Sequence, residues 1–391
     1  MQSEKRKSYS VRIAVLGGGH AGRGLAGYLA LHGFDVSLYN RTLNNVRGII
    51  ERGGLDVYGV INGFAPIRIV SDNMEETIRN RDILIVTVPA QAHSFFAYRM
   101  SPHLEENQLV LLMPGRTGGA LEFAQIAGVC PDGDYALLGE AQTFSFVSRT
   151  TGSSSVLISK IKNRVQVSAF PATRNQEYLS RLKVLPISLV RANTVLETGL
   201  NNVGAMLHPA PTILCAGLLE SKHGGYNHYH DAISESVGQL IERMDTERVK
   251  VGKHFSRNPM TLLDWLQDAY GAEGESLCEC LRSIDAYDGV GSPDTLQHRY
   301  VLEDVPTGLV PISRLGKLCG VDTPAIDAVI NIACHLYDCD FWHTGRNLIS
   351  MGLLGMSLLD VVEYVQNGKR PIEVASLQEG WDLYEIEVDD I

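Results

Sequence analysis

The sequence lacks any apolar run near the roughly 20 residues that a membrane-spanning helix needs, and no apolar core follows its polar, basic opening MQSEKRKSYS. Neither a membrane span nor a secretory leader is expected. An excess of positive charge is also missing: 34 Lys and Arg stand against 45 Asp and Glu, a net charge of −11, which argues against a nucleic-acid partner. The chain has no C-x-x-C pair. Its seven cysteines are an odd number without framework spacing, Cys278 and Cys280 forming only a C-x-C, which fits reduced thiols in the cytoplasm. There is no internal repeat and no low-complexity segment. At 391 residues, 45% of them hydrophobic, two or more domains with full cores are expected.

What is there begins with three glycines. The run Val11 to Leu16 reads as a buried strand and Ala21 to His32 as the helix behind it, so Gly17, Gly19 and Gly22 form a G-x-G-x-x-G in the context that gives the motif meaning. The first glycine permits the turn, the second lets backbone approach a pyrophosphate, and the third lets helix pack on strand, with helix N-terminal amides left for phosphate charge. Strands then alternate with helices as far as Pro114: Phe34 to Tyr39, a Gly-rich meander from Gly48 to Gly63, Ile67 to Val70, helix Met74 to Ile78, Asp82 to Val88, a helix opening at Gln91, and Leu109 to Met113. That alternation implies a parallel sheet covered on both faces, with ligands at the carboxyl ends of its strands. The cofactor is therefore expected to border Gly17, Gly19, His20, Ala21 and Gly22, the second-strand tip Asn40, Arg41 and Thr42, and Pro89.

The second-strand tip also speaks to cofactor type. It holds no Asp or Glu for a ribose 2′-OH; Asp35 is at the wrong end and Glu51 too far on. A neutral Asn40 beside Arg41 suits a 2′-phosphate, favouring NADP over NAD.

After Gly139 the pattern changes. Glu140 to Val147, Ser155 to Ser159 and Arg164 to Val167 read as antiparallel strands extending the sheet, around a turn at Thr150 to Ser155, followed by helix Asn175 to Val184 and a last strand Pro186 to Val190. From Thr194 on, apolar spacing at three and four residues predicts helices over Thr194 to Ala205, Ala210 to Leu219, Asp231 to Lys253, Met260 to Tyr270, Ser276 to Ile284, Ala325 to Tyr337, Gly345 to Ser350 and Ser357 to Gln366, with an acidic, frayed tail over Glu385 to Ile391. The expected fold class is α/β: a Rossmann-type dinucleotide-binding domain with added antiparallel strands over residues 1–192, then an all-α domain over 193–391.

Beyond the glycine loop, four segments carry a resemblance: PGRTGGALEF from Pro114, Glu140 with FSFVSRTTG, LETGLNNVGAMLHPAP from Leu196, and RYVLEDVPTGLVP from Arg299. Over nearly its whole length the chain resembles the opine dehydrogenases, including octopine-type enzymes and those that finish nicotianamine-like opine metallophores. The resemblance implies reduction, by NADH or NADPH, of the imine between the amino group of an amino acid and an α-keto acid. It also implies that His208 and Asp304 form the catalytic dyad, accompanied by Asn201 or Asn202. We expect a homodimer.

The residues support these roles on their own chemistry. His208 precedes Pro209, which biases it out of helix and places it at an interruption facing a cleft, and a histidine exchanges protons near neutral pH while an aspartate orients its ring. Arg116, just beyond a strand end where the family often has a neutral amide, could grip the keto-acid carboxylate bidentately. Thr143 is a candidate hydroxyl contact. The loop SKHGGYNHYHD from Ser221, with Tyr226, His223, His228 and His230, is a candidate lid or amino-acid-binding loop rather than a metal site, since it offers no carboxylate or cysteine at helical ligand spacing. Two other readings stand beside this one. A 2-keto or β-hydroxy acid reductase shares the plan but usually carries a lysine on the first helices of the second domain, and Thr194 to Pro211 contains none. A non-catalytic nucleotide-binding sensor would not need His208 and Asp304.

Overall fold

The computed structural model describes residues 11–129, 136–222 and 225–371. The basic opening residues, His223 and the acidic Glu385 to Ile391 lie outside them. Twelve described strands occur: β1 (Arg12–Leu16), β2 (Asp35–Tyr39), β3 (Gly54–Gly59), β4 (Gly63–Pro66), β5 (Ile69–Ser71), β6 (Ile83–Val86), β7 (Leu109–Leu112), β8 (Leu137–Ala141), β9 (Phe146–Gly152), β10 (Ser155–Ile161), β11 (Val165–Phe170) and β12 (Leu189–Arg191). Eight of them form the main sheet, in the order β12-β11-β8-β7-β6-β1-β2-β5. Its centre is parallel, and β6 and β7 are buried on every residue, as unbroken apolar strands must be when helices cover both faces. Strand order reverses between β1 and β6. The carboxyl ends meeting there carry the glycine loop on one side and Thr87 to Pro89 on the other, which is where this architecture opens a ligand crevice.

The expected antiparallel extension is only partly right. β11 runs antiparallel to β8 in the main sheet, but Glu140 to Val147 is not one strand, and β9 and β10 leave to join β3 and β4 in a second sheet of order β4-β3-β10-β9. The Gly-rich meander is likewise replaced by helix Leu43–Arg52, stopped by the left-handed Gly53, and by β3 and β4. Close packing explains both differences. A side chain at Gly27 of helix His20–Leu31 would come within 2.6 Å of Val57, and one at Gly24 within 2.8 Å of Ser148. These glycines let the second sheet lie on the helix, and Leu25, Leu29, Leu55, Val57, Val156 and Ile158 close the core between them.

From Val195 onward every described element is helical apart from the isolated bridge Asn227–Gly291. The longest helix among the described residues, Glu235–Gly252, is capped by Ser234 and carries the fully buried Arg248, whose charge is met by Asp245 and by the carbonyls of Leu200 and Met260. One core runs from the main sheet (Leu16, Val86, Leu112) into the helices (Leu196, Met206, Val305). The expected helix Thr194 to Ala205 is broken after Leu200, and a new one starts at Gly204. Gly345 to Ser350 is not helical, because Gly345 is extended and ends the short helix Phe341–Thr344. Arg299 to Cys319, for which no helix was expected, is helical: Arg299–Leu302, a wide π turn Val305–Leu309, and Val310–Cys319.

Candidate active site

The glycine loop fits a dinucleotide on its own geometry. Gly17 has φ +119°, and a side chain at Gly22 would sit 1.6 Å from the Gly17 carbonyl oxygen, so both positions require glycine. Nothing lies within 4 Å of the space a side chain at Gly19 would take, no side chain caps helix His20–Leu31, and its first turn has no acidic residue. That leaves N-terminal amides for a pyrophosphate. Arg23, which sequence reading missed, is buried and ties the loop down by donating to the carbonyls of Gly18, Asn45, Gly152 and Ser153. His20 faces the same hairpin, accepting the Thr150 N–H at Nδ1; burial, then Arg149, lowers its pKa. Asn40 accepts the Gly18 N–H at 3.0 Å and donates to the Thr42 carbonyl, while Arg41 is exposed beside it. Ala21 lies in the first turn of the helix, Thr42 immediately precedes helix Leu43–Arg52, and Pro89 precedes a single turn Ala90–Ala92.

Across the crevice, His208 is the residue between the short helices Gly204–Leu207 and Pro209–Leu214, the interruption that Pro209 implies. Its Nδ1 is 2.7 Å from Asp304 Oδ2. Asp304 is fully buried just before the π turn, a widening that recurs at functional sites. Burial opposes its charge, but Arg116 and then His208 outweigh burial and hold its pKa at about 2. An ionised carboxylate can only accept, so Nδ1–H is the donor in this contact, and Nε2 is the nitrogen left to exchange a proton. That Nε2 lies 3.2 Å from the hydroxyl of Tyr229, and Tyr300 stacks on the imidazole at 4.1 Å. Burial pushes the Tyr229 hydroxyl well above its ordinary pKa, so it remains a donor. The neighbouring His228 ring is held neutral, its pKa pushed down to about 3 by burial and then by His208.

Arg116 is buried at φ +61°, an unfavourable conformation for a residue with a side chain, and it is held there by its partners. Nε donates to Glu303 at 3.2 Å, Nη1 donates to Asn202 Oδ1 at 2.9 Å, and Asp304 Oδ1 is 3.5 Å away. Burial opposes its charge, yet Asp304 and Glu303 raise its pKa, so it stays protonated. Of the two asparagines, Asn202 reaches this cluster, and its buried Nδ2 has no partner among the described residues. Asn201 instead donates to Gln166. Thr143 accepts from Lys162 at 2.8 Å. Tyr226 lies beside Cys215, and it is Tyr229 rather than Tyr226 that reaches His208. Among the described residues no three His, Cys, Asp or Glu side chains converge as a metal site.

Behind these residues Glu140 accepts from Ala120 N–H and the Thr198 hydroxyl, while Arg346 forks onto Glu122, pinning the segment after β7 to the helices. Glu303 and Tyr300 were within reach of sequence reading, since they share the Asp304 segment. Tyr229 lies in the loop from Ser221 that the sequence singles out, whereas Lys162 gave no such signal.

The model for the α-helical domain of NAD/NADP octopine/nopaline dehydrogenase matches residues 191–337, and that for ketopantoate reductase PanE/ApbA matches residues 13–115. The opine dehydrogenase of Arthrobacter sp. (strain 1C) is 34% identical over 361 residues, covering 91% of this chain and 99% of the relative. Among solved structures, an octopine dehydrogenase in complex with NADH and agmatine superposes with a TM-score of 0.75 at 18% identity, covering 93% of this chain and 99% of that one. A yersinopine dehydrogenase with NADP+ bound reaches 0.70 at 14% identity, covering 91% and 98%.

Proposed function

The chain belongs to the opine dehydrogenase family, and on that premise we propose that it joins the amino group of an amino acid to an α-keto acid through an imine that it reduces with NADPH. It is an NAD(P)-dependent oxidoreductase acting on a CH–NH bond. The observation that carries the mechanism is the 2.7 Å contact between His208 and Asp304 beside Arg116. A bound nicotinamide supplies the hydride. The amino donor attacks only when neutral, so His208 Nε2 takes its proton and returns one to the departing carbonyl oxygen, which leaves as water. Asp304 orients the ring and stabilises its charged form. Arg116 holds the keto-acid carboxylate, and the unpartnered Asn202 amide donates to a substrate oxygen. Glycine-loop amides and the N-terminus of helix His20–Leu31 hold the pyrophosphate, with Arg41 at the 2′-phosphate; the absence of a carboxylate at the second-strand tip supports this cofactor preference. The test is consumption of NADPH and of NADH by the purified protein with pyruvate, oxaloacetate or 2-oxoglutarate, screened across L-amino acids and nicotianamine-like amines. No turnover with any pair would overturn the reading.

A further inference from the structure

We propose that Lys162, with the hydroxyl of Thr143, binds a second substrate carboxylate, complementary to the one at Arg116; this rests on the function proposed above. Condensation brings together two molecules that each carry a carboxylate. Arg116 alone is poorly matched to both, because its charge already faces Glu303 and Asp304.

Lys162 differs in its surroundings. It lies between β10 and β11, its backbone N–H bound to the Ser145 carbonyl at 2.9 Å, and its ammonium sits where sheet and helices meet, 2.8 Å from Thr143 Oγ1 and 5.8 Å from the ring of Trp265. Its sequence neighbours at alternate positions have partners on the same helix: Lys160 lies over Tyr270, and Arg164 is 3.8 Å from Asp268. No described carboxylate comes within ion-pair distance of Lys162. Burial, then the like charges of Arg116 and Lys160, push its pKa down to about 7, and no acidic group opposes them. An ammonium has three donors, and one neutral oxygen is a poor exchange for its hydration. A carboxylate would use the remaining donors, supply the missing charge and accept from no other group nearby. A cation–π contact near 6 Å and one hydroxyl leave this half-buried ammonium with donors to spare.

The experiment compares each carboxylate with its amide, in wild type and Lys162→Gln, by quenching of tryptophan fluorescence at saturating NADPH: pyruvate against pyruvamide, and L-leucine against L-leucinamide. In the wild type the amide binds at least tenfold more weakly for both substrates. In Lys162→Gln that preference falls to within about twofold for one of them and persists for the other, identifying the source of the carboxylate, and Lys162→Arg restores it. Undiminished preference for both, or no binding of either carboxylate to the wild type, overturns the proposal. Because binding is read without turnover, a chain that binds but reduces nothing would sink the proposed function while leaving this inference intact.

Discussion

Asp304 Oδ2 lies 2.7 Å from Nδ1 of His208, a residue 96 positions earlier in the chain. The contact sets the tautomer of the imidazole and leaves Nε2 facing the Tyr229 hydroxyl at 3.2 Å. His208→Asn is expected to fold and bind NADPH normally but to lose roughly 100-fold or more in turnover, the usual share of acid–base catalysis. Asp304→Asn should act in the same direction, with the double variant little worse than the worse single one, because the pair works as a unit. Steady-state kinetics alongside NADPH titration checks this, and near-normal turnover in His208→Asn would rule the dyad out.

Arg41 bears on cofactor choice. Arg41→Ala should raise KM for NADPH far more than KM for NADH, since only the former has a 2′-phosphate for a guanidinium to meet. An equal effect on both, or a wild type that prefers NADH, defeats the assignment.

Arg116→Ala should weaken keto-acid use by about 2 kcal/mol in transition-state binding, the worth of a charged hydrogen bond. It should also destabilise the fold, because the buried Glu303 and Asp304 would keep only Arg299 and His208 as partners. NADPH affinity should hold. Lost stability with an unchanged KM for the keto acid would reduce Arg116 to a counter-ion.

Glu140 predicts a pH effect on stability. Burial is the largest influence on its carboxyl and raises the pKa from 4.5 to about 7, although Thr198 and Ala120 donate to it. The folded state then binds more protons than the unfolded one between these values, so this group's contribution is full below pH 4.5 and is lost as pH rises through 7. His228 and His93, both held low, give the opposite slope below about pH 6.5, so the informative quantity is a difference. Glu140→Gln, whose amide can donate to Thr198 and accept from Ala120, should gain on the wild type by about 3 kcal/mol between pH 4.5 and 7.5. Chemical denaturation at both pH values measures it; a constant difference would mean that Glu140 is ionised throughout.

Much of this protein was legible in its sequence, because the signals concerned are local. An apolar strand running into Gly17, Gly19 and Gly22 and then a helix admits few other folds, and unbroken apolar runs at β6 and β7 can only be strands covered on both faces. The His208 segment and the Asp304 segment were each marked by their resemblance to the family's motifs. Tertiary structure decided what depends on contact between distant segments. β9 and β10 carry an alternating pattern that fits either sheet, and the choice was made by Gly24 and Gly27 on a helix more than a hundred residues earlier. Asn201 and Asn202 are adjacent and chemically identical, yet only Asn202 points at Arg116. Arg116 reads as an available guanidinium until Glu303 and Asp304 are folded against it, and only the fold brings Lys162 beside Thr143 and Trp265. Periodicity along a chain reports which side of an element is buried; it does not report which charge from elsewhere will face that side, and in this site, apart from the local Arg299–Glu303 pair, the balance of charge is made by such meetings.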